Sequence, residues 1–548
     1  MTIDNLIPTP RHIERKNTIF DIKRIETTDK IAYVMNPGEI NRFNNYLASE
    51  QFQREGYVLA TRTNGEIAKI HVYATSPAGF FYGQNTAKRL MQANKGQVPG
   101  VLIVDYPSFQ IRGFMEGYTG FPWTADREAM IKICAQYGFN AYVLGPNEFN
   151  LLSGWRNEFS KAYAEHLASV SKTCHENFVR FAYKIIPFGI NMKIFSNDLY
   201  AFKRKANELA DLGIDGIVIA FDDYFARKEA DAKQHTQFAN KIAEELSKRG
   251  IHMYLIPSQY SGITSYHATL GENLDSRIQV GWTGREIVSS KIMREDVKAL
   301  EAMLGRKPFL GHNFPVVNET DKKRRIHLGP LKGLDSNLAE YLSGIAFNFM
   351  PLPFASLISG LTCADYAWNP KDYHPERAIK NSCNALGGID LLDLVRLNPE
   401  TTADPNAIHP ITRLLVKGIA HRQLSTISYS EREQLRDAFR TMSSLEYNLL
   451  PPKVDPRLYR ELYPLLYQAN MLGGLGEAIV NGTIKNLNFF SKGMAAIKMV
   501  AGYRFSGLEI ENWILREMGF PASFVSHTRS LWDIIDRIYR KRHRKQKI

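Results

Sequence analysis

Residues 216–260 read GIVIAFDDYFARKEADAKQHTQFANKIAEELSKRGIHMYLIPSQY. The opening run, GIVIAF, is too short for a helix and rich in β-branched residues, so it reads as a buried strand. The segment at 233–250, KQHTQFANKIAEELSKRG, places apolar residues at helical spacing and ends on glycine. The run HMYLIPSQY at 252–260 then repeats the first. Strand, helix and strand in that order predict a parallel pair joined by a crossover.

The same rhythm extends from about 109 to 350. Strand candidates are IRGFMEG (111–117), FNAYVLGP (139–146), RFAYKIIPFG (180–189), GIVIAFDD (216–223), HMYLIPSQY (252–260), IQVGWTG (278–284), PFLGHNF (308–314) and GIAFNF (344–349). Helical segments such as TADREAMIKICAQYG, AFKRKANELADLG and REDVKALEAMLG fall between them. This pattern predicts a closed (β/α)8 TIM-type barrel, whose chemistry sits at the carboxyl ends of its strands. Those ends carry Glu116, Asn147, Asp222, Asp223, Tyr260, Trp282, Asn313 and Asn348, expected to ring one cavity.

The flanks differ. Residues 1–108 predict an α/β accessory domain, with strands at IAYVMN (31–36), GYVLATRT (56–63), IAKIHVYA (67–74) and VPGVLIVDYPS (98–108), and a helix over 76–96. The barrel is assigned to 109–375. From 376 to 548 only helical segments are expected: 411–424, 430–450, 455–482, 487–504 and 527–545, forming a bundle with a basic tail. The GGLGEA within the third of these has no strand before it, so it reads as a helix-packing site, not a phosphate loop.

Composition sets the class. With 548 residues, 44% hydrophobic and 23% charged, the chain is long enough for two to three globular domains. No apolar run approaches the roughly 20 residues of a membrane span, and no basic, then apolar, leader opens it. A cytoplasmic protein is expected. Cys134, Cys174, Cys363 and Cys383 are scattered, which predicts buried free thiols. Of the net charge of +13, the final RKRHRKQKI supplies six. Such a tail suits a solvated helix end or an anionic partner.

The adjacent carboxylates Asp222 and Asp223 decide the chemistry. Side by side in a site short of water, two carboxyls favour one anionic and one protonated member. Neighbours on one strand end cannot flank a sugar ring as an acid and a direct nucleophile must, about 5 Å apart. They suit a substrate-assisted route, in which one holds a 2-acetamido N–H and the other protonates the leaving oxygen. Two turn-capping aspartates are the plain alternative.

An ordered set of segments resembles the family 84 glycoside hydrolases, the O-GlcNAcase and hyaluronidase-like β-N-acetylglucosaminidases. RGFMEGYTGFPW (112–123) is similar to their R-G-x-x-E-G-F-Y-G-x-P-W. FDD (221–223) matches the catalytic pair, PSQYSG (257–262) resembles P-T-E-Y-x-G, and VGWTG contains W-T-G. NFPVVNE (313–319), AFNFM (346–350) and ADYAWNPKDYHPE (364–376) resemble the closing segments, so the likeness covers about 30–380. It implies that Asp222 orients the acetamido nitrogen and that Asp223 is the general acid, then the base. Tyr260 would bond the acetamido oxygen and Trp282 would wall its pocket. Gly117, Asn313 and Asn348 would line the sugar site or support the aspartates.

Three positions depart from the pattern. Asn147 stands where the family has a lysine, Asn318 where it has a carboxylate on the sugar hydroxyls, and Tyr118–Thr119 where it has Phe–Tyr. Asparagine both donates and accepts, so Asn318 tolerates groups that a carboxylate repels. The expectation is a retaining β-N-acetylhexosaminidase working through an oxazoline, without metal or cofactor, on a 2-acetamido sugar other than plain GlcNAc or on an unusual aglycone. The competing readings are a barrel binding glycosylated or anionic polymers without turnover, and a biosynthetic enzyme hydrolysing an N-acetylated sugar intermediate.

Overall fold

The computed structural model describes residues 3–63, 68–117, 123–145, 154–190, 196–222, 231–316, 326–397, 426 and 428–482. They group into two compact units, one of residues 1–316 and 330–382, the other of 317–329 and 383–548.

The first unit opens with four strands, β1 (His12–Thr28), β2 (Tyr57–Thr63), β3 (Ala68–Ala74) and β4 (Gln97–Asp105), ordered β1-β3-β2-β4 and closed on itself. β1 runs antiparallel to β4 over its first half and parallel to β3 over its second. Its sequence, HIERKNTIFDIKRIETT, is charged and mostly exposed, so it lacks the apolar alternation that marks a strand. β2 shows the opposite case. Tyr57 and Leu59 face the helix Pro77–Ala93, while Val58 and Ala60 face Phe43 and Phe52 across the other side. Both faces are covered, which is why the strand reads as continuously apolar.

The expected strand at 31–36 is not formed. Ile31–Tyr33 is a single 3₁₀ turn, and Asn36 caps the helix Pro37–Arg42. Asn36 accepts from the Glu39 backbone N–H at 2.9 Å, and Glu39 accepts in return from the Asn36 N–H at 2.8 Å. That reciprocal cap, with proline at the first helical position, outweighs the β-propensity of the preceding residues.

Eight further strands close a parallel barrel: β5 (Arg112–Gly117), β6 (Ala141–Gly145), β7 (Arg180–Ile185), β8 (Gly216–Ala220), β9 (His252–Ile256), β10 (Ile278–Trp282), β11 (Phe309–His312) and β12 (Gly344–Asn348). Closure comes from β12 against β5, with Ile345 opposite Arg112. Each lies within its sequence-predicted segment. Helices Arg127–Gln136, Lys161–Glu176, Ser196–Asp211, Ala232–Ser247, Ser265–Asn273 and Arg294–Leu304 follow β5 to β10 in turn, and Pro353–Trp368 follows β12.

Strand register fixes the two faces of this sheet. Phe114, Tyr142 and Phe181 are cross-strand partners, and Tyr142 stacks on Phe181 at 5.5 Å. With Tyr183 and Phe221, they face the helices. The alternate set, Gly113, Ala182, Lys184, Gly216, Val218, Ala220 and Ala346, faces the barrel interior. The four-stranded layer is tied to the barrel through Arg112, whose buried guanidinium meets Glu55 at 2.8 and 2.9 Å, and through Trp368, whose indole donates to Asp105 at 2.9 Å.

In the second unit, helices Ile389–Arg396, Tyr429–Asn448 and Pro456–Val480 are described. The GGLGEA glycines lie inside the last. A Cβ on Gly476 would fall 2.3 Å from the Phe439 ring, and one on Gly473 2.4 Å from the Ser443 nitrogen. The glycines therefore let two helices approach closely, as the packing reading requires. The predicted helices at 411–424, 487–504 and 527–545, and the basic tail, lie outside the described residues. All four cysteines are buried free thiols. Among the described residues no helix is long and apolar enough to cross a membrane.

Candidate active site

The carboxyl end of β8 is shaped by Phe221. This fully buried ring stacks on His235 at 4.2 Å, and His235 in turn bonds the Tyr266 hydroxyl at 2.7 Å. Burial pushes His235 down to about 4, so it stays neutral. With Phe221 turned to the helices, Asp222 turns the other way, onto the interior face. There Lys184 of β7 meets it: Nζ donates to Oδ2 at 2.7 Å, and each side chain is only 12% exposed. The other oxygen, Oδ1, is buried and accepts no hydrogen bond from any described residue.

Two more clusters stand at the same end. Trp282, the last residue of β10, is buried and donates its indole N–H to the Gly262 carbonyl at 2.8 Å. The Thr283 N–H donates to the Tyr260 carbonyl at 2.8 Å, and the Gly262 N–H to the Gly284 carbonyl at 2.9 Å. Tyr260 and Trp282 are thus brought together by a laced pair of loops, but the register puts Trp282, like Ile278 and Val280, on the helix-facing side of β10 and not in the expected ring. At the end of β12, Asn348 donates to Oδ1 of Asn313 at 3.1 Å, and Asn313 donates to the Ile287 carbonyl at 2.8 Å. Oδ1 of Asn348 is buried and, like Oδ1 of Asp222, receives no donor from the described residues. Gly117 ends β5 opposite Gly145. Asn147, Asp223 and Asn318, with Tyr118 and Thr119, lie outside the described residues.

Glu116 corrects the expected ring. It sits on the helix-facing side of β5 with Phe114, not in the barrel mouth. Its Oε1 accepts from the Trp123 backbone N–H and from Arg127 Nη2, and its Oε2 from Arg127 Nε and the Tyr142 hydroxyl, at 2.5–2.8 Å. Burial alone would lower Arg127, but its hydrogen bonds to Glu116 hold the guanidinium above its ordinary range. Burial, then the Glu116 charge, raises Tyr142. Glu116 is a structural carboxylate, saturated by four donors. Lys184 is the residue that sequence reading passed over. Its signal was a lysine inside the apolar run RFAYKIIPFG, on the face that meets Asp222.

Much of the closing motif is also structural. Asp365 accepts from the Thr9 N–H, the Tyr366 hydroxyl donates to the Asp335 carbonyl, and the Tyr373 hydroxyl donates to the Leu331 carbonyl. A cavity of about 480 Å³ opens at the opposite end of the barrel, lined by Arg180, His252, Gln279 and Lys307, and holds none of the predicted site residues.

A parallel eight-stranded barrel with these side chains at the carboxyl ends of its strands belongs to the (β/α)8 class. Solved structures share the fold. That of CpGH84B is 24% identical, with a TM-score of 0.76, over 93% of this chain and 99% of its own. An O-GlcNAc hydrolase of Thermobaculum terrenum is 20% identical, with a TM-score of 0.66, over 75% of this chain and 94% of its own.

Residues 112–397 match the beta-N-acetylglucosaminidase family model, and residues 27–106 match domain 2 of glycosyl hydrolase family 20. The chain belongs to the beta-N-acetylglucosaminidase family, family 84 of the glycoside hydrolases. Protein O-GlcNAcases of Rattus norvegicus and Mus musculus are each 28% identical over 256 residues, 43% of this chain. The chain spans 27% of the length of those relatives.

Proposed function

We propose that this protein is a retaining β-N-acetylhexosaminidase that removes a terminal 2-acetamido sugar by substrate-assisted catalysis. The observation that carries the reading is Oδ1 of Asp222: a buried acceptor, on a carboxylate already held by a cation, with no donor among the described residues. A buried acceptor calls for a donor, and a substrate amide N–H supplies one.

In this reading the acetamido oxygen attacks the anomeric carbon while the bond to the aglycone oxygen breaks. Asp223 gives its proton to that oxygen, and Asp222 accepts the amide N–H as charge builds on nitrogen. Water then adds to the anomeric carbon of the oxazoline, losing its proton to Asp223, and the acetamido group reforms. Two displacements retain the configuration. Tyr260 holds the acetamido group, with Trp282 backing the Tyr260 loop from the helix-facing side of β10, while Gly117, Asn147, Asn313, Asn318 and Asn348 meet the sugar hydroxyls. Neutral Asn318 admits a sugar altered at its outer hydroxyls.

The test is turnover of aryl 2-acetamido-β-glycosides, with the product anomer followed by NMR. The β-anomer is expected to appear first. Asp223→Asn should spare the first step for good leaving groups, whereas a general acid contributes about 10²–10⁴-fold for poor ones. First release of the α-anomer, or equal losses on both substrate types, would contradict the assignment.

A further inference from the structure

We propose that Lys184 is a positioning residue of this site. Its ammonium pins Oδ2 of Asp222, so that Oδ1 alone is presented to the substrate amide. The role rests on the reading above and adds to it a residue on a different strand.

The geometry is built into the sheet. Lys184 is the register partner of Val218, and Val218, Ala220 and Asp222 follow one another on the interior face. A lysine at 184 therefore reaches along the wall to the residue just past the end of β8. The neighbouring strand makes room for it, since a Cβ on Gly145 would lie 3.4 Å from Lys184 Cδ. At 2.7 Å the contact is a charge-assisted hydrogen bond in a setting that excludes most water. A carboxylate tethered by one oxygen cannot swap its two acceptors by rotation. The buried, donorless oxygen is the one left for a ligand.

A merely structural ion pair and a positioning residue make different predictions. The measurements are steady-state kinetics of the full chain on 4-nitrophenyl 2-acetamido-2-deoxy-β-glucoside and on 4-nitrophenyl β-glucoside. Calorimetric binding of a thiazoline analogue of the bicyclic intermediate adds a readout that needs no turnover. The proteins are wild type, Lys184→Met, Lys184→Arg, Asp222→Asn and the Lys184→Met/Asp222→Asn double variant.

If Lys184 acts through Asp222, Lys184→Met lowers kcat on the acetamido substrate by about 30- to 100-fold, with KM within about threefold, as small misplacements of reacting groups do. In the Asp222→Asn background the same change costs less than about threefold, because the atom that Lys184 leaves for the substrate is then an amide nitrogen that cannot accept. Lys184→Arg, which keeps the cation, recovers kcat to within about tenfold of wild type. Should Lys184→Met fail to fold, the Arg variant and its own combination with Asp222→Asn carry the same test. Additive losses, or an unchanged kcat in a folded Lys184→Met, overturn the positioning role and leave the glycosidase reading intact. A wild type that neither discriminates between the two glycosides nor binds the thiazoline overturns the reading of the site, and the role of Lys184 with it.

Discussion

Glu116 and Asp222 are both buried carboxylates at the carboxyl ends of barrel strands, and both are paired to a cation. Glu116 accepts four hydrogen bonds, two on each oxygen. Asp222 has one cation on one oxygen and nothing among the described residues on the other. The difference follows from strand parity. Glu116 faces the helix layer, where Arg127, Tyr142 and the Trp123 backbone can surround it, whereas Asp222 faces the interior, where a substrate can complete it. The oxygens of Glu116 are filled by the protein itself, whereas the open oxygen of Asp222 lies on the interior face of the barrel, as the proposed role requires.

The comparison breaks most visibly in stability. In Glu116→Gln the amide keeps only one acceptor atom, so two of the four donors, including part of the buried Arg127 guanidinium, lose their partner. The expected loss is about 3–5 kcal/mol, read from the denaturant midpoint, while kcat per folded molecule changes by less than about tenfold. Asp222→Asn should do the reverse. The asparagine carbonyl can still accept from Lys184, so only the counter-charge is lost and stability falls by about 1–2 kcal/mol, less than in Glu116→Gln. Turnover of 2-acetamido substrates should fall by about 10²–10³-fold, as when one preorganised polar contact to the developing charge is removed.

A carboxyl without a cation sharpens the contrast at smaller amplitude. Burial pushes Asp105 and Asp365 up to about 6 each, and neither has an ion-pair partner among the described residues. Between about pH 4 and 6 the folded protein keeps these protons while the unfolded chain releases them. Stability therefore falls as pH rises through that window, by about 3 kcal/mol per group, and is level above it. Asp365→Asn should remove its share of the slope in thermal melts from pH 4 to 6. An unchanged slope would mean that Asp365 is ionised in the folded protein.

The eight barrel strands were legible because strands covered on both faces read as short apolar runs, each ended by polar or glycine residues. β1 was not, because its exposed charges mask its pairing. The strand expected at 31–36 failed to the cap formed by Asn36 and Glu39, a local signal that lay in plain sight. In the site, residue type and strand-end position identified Asp222, Tyr260, Trp282, Asn313 and Asn348 as candidates. They could not say which face a terminal residue takes, so Glu116 and Trp282 were grouped with the mouth. Lys184 was hidden for the complementary reason. Within one strand it is an odd charge, and only the β7–β8 register brings it to Asp222.

The central claim is that the open oxygen of Asp222 serves the 2-acetamido group. It is tested most directly by the ratio of kcat/KM for an aryl 2-acetamido-β-glucoside to that for the matching aryl β-glucoside, in wild type and in Asp222→Asn. The expected ratio is above about 10³ in wild type and collapses by about 10²-fold in the variant, because only the acetamido substrate uses that oxygen. A ratio that Asp222→Asn leaves unchanged would contradict it.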